Sequence, residues 1–171
     1  MVTIDTRPPD VDAANPEIRP YGTEDFAWAV TLLEATGGRL RVRRGRVVDV
    51  AVLPGLVALR HGQPAGLLTL TRHLDELELS VIAAAPFDDA LVARLLVEAR
   101  RHGGPTCRRI WAVCSNAEFE VQRALQQNGF RLCTTRPGAV DAVARRSPTG
   151  LVTSLGGVQV RDEVEFDLLL S

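Results

Sequence analysis

The sequence predicts an α/β (α+β) domain built on one mixed central sheet with helices on both faces. Three observations carry this. Apolar residues make up 46% of the 171 residues, enough for one domain with a sizeable core. Segments with strand alternation and segments with helix start and stop signals follow in the order β-α-β-β-β-α-β-α-β, then a helix and a last strand. The strands cluster mid-chain and then alternate with helices, as in a mixed sheet covered on both sides.

The elements follow in order. Residues 1–16 include RPPDVDAANP, polar and proline-broken, and read as a flexible tail ahead of a single domain over 17–171. EIRPY is a short strand. TEDFAWAVTLLEATGG is a helix with Thr23 as N-cap, acids in its first turn and Gly37-Gly38 as its stop. RLRVRRGRVVDVAVLPG reads as a basic, irregular connection. LVALRHGQPAGLLTLTR is a hairpin turning at HGQPAG. DELELSVIAA alternates, so Leu77, Leu79 and Val81 are expected on one face and Glu76, Glu78, Ser80 and Ile82 on the other. A helix follows from about Asp88 to His102. RRIWAVC is a strand, SNAEFEVQRALQQNG a helix capped by Ser115 or Asn116, and FRLCTT a strand. GAVDAVARR is a short helix and EVEFDLLL a final strand. No internal repeat is visible.

Bulk properties exclude several functions. A net charge of -1 gives no global basic field for nucleic acid, although all 20 basic residues are arginine. Three cysteines without a CxxC pair argue against a disulfide framework or a zinc site. The N-terminus lacks a signal-peptide pattern, and no apolar run is long enough for a bilayer. The expectation is a soluble cytoplasmic protein with no nucleic-acid or membrane partner.

Several strings resemble the GNAT superfamily of acyl-CoA-dependent N-acetyltransferases. LPGLVALRHGQPAGLLTL looks like its central hairpin. ELELSVIAAAP and ALVARLLVEARRHG look like its fourth strand, cofactor loop and following helix. RRIWAVCSNAEFEVQRALQQNGFRL looks like its fifth strand, Asn-led helix and Gly-Phe strand opening. The likeness runs from about Glu17 to Leu170. It implies a GNAT-like, mostly antiparallel sheet of six to seven strands and acetyl-CoA as cofactor. The fourth and fifth strands would splay around the pantetheine arm, which would bond to backbone around Ser80, Val81 and Ile82. The diphosphate would sit on amides opening the next helix, at Asp89, Ala90, Leu91, Val92 and Ala93, where unpaired N–H groups and the helix dipole favour an anion. Asn116 would touch the cofactor arm, as well as serving as an ordinary cap.

The sequence departs from the family in two places. The glycines of its phosphate loop fall on Ala90 and Val92, and its Arg/Gln on Phe87. Glycine lets backbone approach phosphate closely, whereas a branched Val92 would crowd it. Asp88 or Asp89 can cap the same amides and compete with phosphate. The tyrosine expected to protonate the leaving thiolate is Leu125, which has no proton to give. Water, Cys114 or Ser115 would have to supply it.

The chemical candidates are few. Glu78 and Glu76 lie on the polar strand face, where a carboxylate can deprotonate an ammonium; the alternative is two solvated strand residues. Ser80 joins Glu78 as a catalytic position by resemblance. Trp28 and Glu76 are expected to line the acceptor pocket, and His73 leads into the same strand. Arg41, Arg43, Arg44 and Arg46 read as a solvated basic loop, with an anion-binding rim as the alternative. No Ser-His-Asp or metal-ligand spacing is present. The expected function is N-acetyl transfer from acetyl-CoA to an amine of a small molecule by direct attack. The rivals are a GNAT scaffold that has given up acetyl-CoA for another ligand or reaction, and a non-catalytic module forming a homodimer through its C-terminal strands.

Overall fold

The computed structural model describes residues 15–147 and 149–171. Most of the expected tail therefore lies outside the described residues. The elements are β1 (Glu17–Pro20), α1 (Phe26–Ala35), β2 (Leu40–Arg43), β3 (Arg46–Asp49), β4 (Gly55–Arg60) and β5 (Gln63–His73). They continue with β6 (Glu76–Ala84), α2 (Asp89–Gly103), β7 (Arg109–Ser115), α3 (Phe119–Gln127), β8 (Arg131–Arg136) and α4 (Ala139–Ala144). The chain ends with β9 (Ser154–Leu155), β10 (Val158–Gln159) and β11 (Glu163–Leu169). No helix among the described residues is long and apolar enough to cross a membrane.

A seven-stranded sheet in the order β1-β4-β5-β6-β7-β11-β8 forms the centre. Every pairing is antiparallel except β6 with β7. β11 is paired on both edges, by β7 and β8, so it has no free edge for strand pairing between two copies. On one face α2 and α3 bury Leu91, Leu95, Leu96 and Leu125 against Leu68, Leu79, Ile110 and Phe166. On the other face α1 buries Ala29, Leu32 and Leu33 against Val57, Leu67, Val81 and Ala83. Each fully buried leucine contributes about 1.5–3 kcal/mol relative to exposure, so the helices are held by their apolar stripes.

Two elements correct the sequence reading. The stretch taken as an irregular basic connection is the hairpin β2–β3, in register from Leu40 opposite Asp49 to Arg43 opposite Arg46. Its turn residues, Arg44 at φ 49° and Gly45 at φ 76°, both take the left-handed conformation that a tight two-residue hairpin needs. The hairpin is not solvated on all sides, because Val42 packs on Val140 and Val143 of α4.

The second correction is a β-bulge in β6. Thr69 pairs with Val81 and Leu70 with Leu79, leaving Ser80 as an extra residue. Strict alternation therefore breaks at Ser80. Leu77, Leu79, Ile82 and Ala84 face α2, whereas Val81 and Ala83 face α1. Val81 and Ile82 thus exchange the faces expected of them, while Glu76, Glu78 and Ser80 keep theirs.

Candidate active site

The site begins where two parallel strands part. β6 and β7 pair from Glu76 opposite Arg109 to Leu79 opposite Ala112, and no further. The bulge at Ser80 follows this last pair and turns β6 away from its neighbour. Past that point a cleft of about 450 Å³ opens, lined by Ile82 to Phe87 on one side and Ala117 to Val121 on the other. Leu155 and Gly156 close one end, and Ala35 and Thr36 another. The run of alanines at the end of β6 leaves backbone uncovered, so a slender ligand can approach it. Sequence reasoning missed most of this lining, although the run AAAP carried a usable signal of small residues. Of the residues expected to hold a cofactor, Ile82 alone lines the cleft.

The β2–β3 hairpin reaches the cleft wall through Glu118. Arg41 and Arg43 point from β2 into the sheet face and are buried, contrary to the solvated-loop reading. Arg43 Nε donates to the Ser80 carbonyl at 2.9 Å, fixing the bulge. Arg41 Nη1 donates to Glu118 Oε1 at 2.8 Å, and its other nitrogens reach the carbonyls of Gly38 and Thr36 at 2.7 and 2.9 Å. Glu118 Oε2 accepts from the Ser115 amide at 2.6 Å. Burial alone would raise the Glu118 pKa, but the guanidinium charges of Arg41 and Arg43 hold it below the usual carboxylate range. Glu118 therefore stays ionised at the cleft wall. Beside it lies a cavity of about 20 Å³, also lined by Arg41, Arg43, Ser115 and Glu163, enough for one water. Neither oxygen of the buried Glu163 has a hydrogen-bond partner among the described residues.

Helix α3 starts later than expected. Its N-cap is Glu118, and Phe119 is its first residue. Neither Ser115 nor Asn116 caps it. Asn116 instead ties down the segment before β11. Its Oδ1 accepts from the amides of Arg161 and Asp162 at 2.9 and 3.0 Å, and its Nδ2 donates to the Gln159 carbonyl at 2.9 Å.

The first turn of α2 is occupied by its own side chains. Asp88 Oδ1 accepts the Leu91 amide at 2.9 Å, the Val92 amide bonds the Asp88 carbonyl at 3.0 Å, and Asp88 pairs with Arg60. The Leu91 amide, with help from Arg60, lowers the Asp88 pKa. Asp89 is not the cap; it is exposed and pairs with Arg123 of α3 at 3.1 Å. Ala90 is exposed and Ala93 half-buried. Leu91 and Val92 point into the core, so Val92 does not crowd this turn. Gly66 makes room for Leu91, since a Cβ there would lie 2.2 Å from Leu91 Cδ2.

On the α1 side of the sheet, Glu78 is buried and lies 3.1 Å from His73 Nε2. His73 stacks on Trp111, centroids 5.7 Å apart, and its side chain is 47% exposed, so the pair reaches solvent through the imidazole. Arg44 covers Trp111, 3.6 Å above its ring. Glu76 lies 3.5 Å from Arg109. The Ser80 hydroxyl is 3.0 Å from Thr71 Oγ1 and fully buried. Trp28 packs on the α1 core cluster and lines no part of the cleft. Leu125 is fully buried in the core, and burial pushes the Cys114 thiol pKa up, so it keeps its proton.

Solved structures share this fold over nearly the whole chain. The chain has the GNAT fold. An IAA acetyltransferase from Bacillus cereus aligns at TM-score 0.67 and 16% identity, over 91% of this chain and 99% of that one. A GNAT family acetyltransferase from Elizabethkingia anophelis with acetyl-CoA bound aligns at TM-score 0.62 and 12% identity, over 92% and 99%. The ribosomal-protein-S18-alanine N-acetyltransferase from Escherichia coli aligns at TM-score 0.61 and 16% identity, over 91% and 94%. No protein-family model matches the chain, and neither does any curated protein. At these identities the likeness is one of GNAT fold.

Proposed function

We propose that the chain transfers an acetyl group from acetyl-CoA to an amine of a small molecule by direct attack. The observation that carries this is the divergence of β6 and β7 after Leu79 and Ala112, which opens the cleft at the bulge. The cleft, about 450 Å³ with a mostly apolar lining that includes Ile82, Ala83 and Ala84 of β6, suits a pantetheine arm. The first turn of α2 does not suit a diphosphate in the same way, because Asp88 already holds the Leu91 amide. Bound in the cleft, acetyl-CoA supplies an acyl group activated as a thioester.

The chain's own residues have the following roles. The β6 backbone at Ile82, just past the bulge that Arg43 holds, orients the acyl carbonyl. His73 accepts a proton from the acceptor ammonium at its exposed nitrogen, and Glu78 at 3.1 Å stabilises the imidazolium. Glu76 lies on the same strand face as Glu78 and completes the acceptor side. Leu125 is apolar and Cys114 is sealed, so neither protonates the departing thiolate; water does so.

The test uses a panel of primary amines with acetyl-CoA, following thiol release and acetylated product by mass spectrometry. Glu78→Gln is expected to lower kcat by about 10²-fold or more, with donor affinity unchanged. No product with any amine, or an unchanged pH–rate profile in Glu78→Gln, refutes the assignment.

A second reading, a GNAT scaffold that has given up acetyl-CoA for another ligand or reaction, rests on the capped first turn of α2. It requires that calorimetry with acetyl-CoA gives no heat of binding, while an apolar compound without phosphate still fills the cleft.

A further inference from the structure

Resting on the reading of the cleft as a donor site, we infer that the acyl donor is recognised through its pantetheine arm and not through its diphosphate. S-acylated pantetheine without a nucleotide is then as good a ligand as the CoA thioester.

The argument starts from the donors a diphosphate would need. A helix N-terminus binds anions because its first amides are unpaired. In α2 the Leu91 amide is taken by Asp88 Oδ1 at 2.9 Å, and the same carboxylate is also stabilised by the Ala90 amide. A phosphate would have to displace a carboxylate that is covalently anchored beside its donor. The cations at this turn are committed as well. Arg60 is bound to Asp88, and Arg123 lies 3.1 Å from Asp89. Freeing either one leaves an aspartate facing the incoming anion. Glu120, exposed on the cleft wall, adds a further negative charge. Turn and mouth are therefore furnished as in a helix that caps itself, and a doubly charged group gains nothing there.

The arm meets the opposite conditions. Ile82, Ala83, Ala84 and Ala85 form one wall, and Ala117 and Val121 face them. Past Leu79 this strand is no longer paired with β7, and its small side chains line the cleft. The amides of a pantetheine arm can bond there, and its methylene and dimethyl groups bury apolar surface. The charge of Glu118 in this wall is answered by Arg41 at 2.8 Å, so it does not repel a neutral arm.

Calorimetric titration with CoA and with pantetheine tests this directly on the full chain, without turnover. The two dissociation constants are expected to agree within about threefold. The double variant Asp88→Asn with Asp89→Asn keeps an N-cap, because asparagine caps as well as aspartate. It is expected to tighten CoA by about fivefold or more and leave pantetheine unchanged. Thermal unfolding of the variant checks that α2 still forms. CoA binding tighter than pantetheine by about tenfold or more in the wild type overturns the inference and leaves the acetyltransferase reading standing. A variant that binds both ligands as the wild type does also overturns it. Binding of neither ligand to the wild type overturns both.

Discussion

The ion pair between Arg41 and Glu118 joins the β2–β3 hairpin to the cleft wall, and its removal from one side is the sharpest test of this architecture. Both side chains are buried, at 6% and 5% exposure, with a 2.8 Å contact. Arg41→Met is close in length and removes three donors at once. It leaves Glu118 as a buried carboxylate whose remaining bond is to the Ser115 amide, and it orphans the carbonyls of Gly38 and Thr36. One-sided removal of a buried partner costs about 3–5 kcal/mol, most of it from the stranded charge. Glu118→Leu strands Arg41 instead and is expected to cost a similar amount. The double variant strands neither, so it should be more stable than Arg41→Met by about 2 kcal/mol, whereas additive single variants would make it less stable by about a further 3–5 kcal/mol. Urea unfolding followed by circular dichroism, with linear extrapolation, reads each value. A cost below about 1 kcal/mol for Arg41→Met, or additive single variants, would refute the claim that this pair is desolvated and fixes the hairpin.

Two further outcomes follow from other contacts. Burial alone would raise the Glu165 pKa, but hydrogen bonds from Arg44, Arg136 and Arg109 bring it from 4.5 to about 2. A depressed carboxylate contributes stability above its unfolded pKa and loses it as pH falls through the folded one. The wild type should therefore lose about 2–3 kcal/mol between roughly pH 4.5 and 2 that Glu165→Gln does not lose, allowing for partial screening at the exposed arginines; parallel urea midpoints across that range would contradict this. Gly66→Ala places a Cβ 2.2 Å from Leu91 Cδ2 and 3.3 Å from Leu95 Cδ1, so Leu91 must leave its rotamer or α2 must shift from the sheet. The expected loss is about 1–3 kcal/mol, partly relieved by Leu91→Ala in the double variant, and differential scanning calorimetry reads both.

The legible parts of this chain are those whose cause is local. The helix expected from Asp88 runs from Asp89, with Asp88 as its cap, because capping chemistry and a stripe of leucines act within a few residues. The strands at RRIWAVC and EVEFDLLL were legible from alternation and length in the same way. What escaped has causes distant in sequence. Nothing in ELELSVIAA marks Ser80 as the extra residue, since the bulge shows only against Thr69 and Leu70 of the neighbouring strand. RLRVRRGRVV alternates like a strand, but inward arginines mimic a solvated loop until their partners are known. The partner of Arg41 lies 77 residues away. Asn116 fits a cap first and a cofactor ligand beside it. Only the arrival of residues 159–162 beside it decides what its amide holds.

The same sheet face explains why an arginine hairpin is there and which acid on it is free to act. β6 and β11 present Glu76, Glu78, Glu163, Glu165 and Asp167 toward the α1 side, a density of negative charge that no apolar layer could cover. Arginines answer most of it. Arg44, Arg109 and Arg136 surround Glu165, and Arg109 also reaches Glu76 and Asp167. A guanidinium does not titrate near neutral pH, so the arginines around Glu165 keep its carboxyl ionised there. Glu163 is sealed from solvent, with about 1% exposure. Glu78 differs from all of these, because its partner among the described residues is His73, an imidazole with nearly half of its side chain open to solvent. It stands at the strand position immediately before Leu79, where β6 and β7 make their last pair.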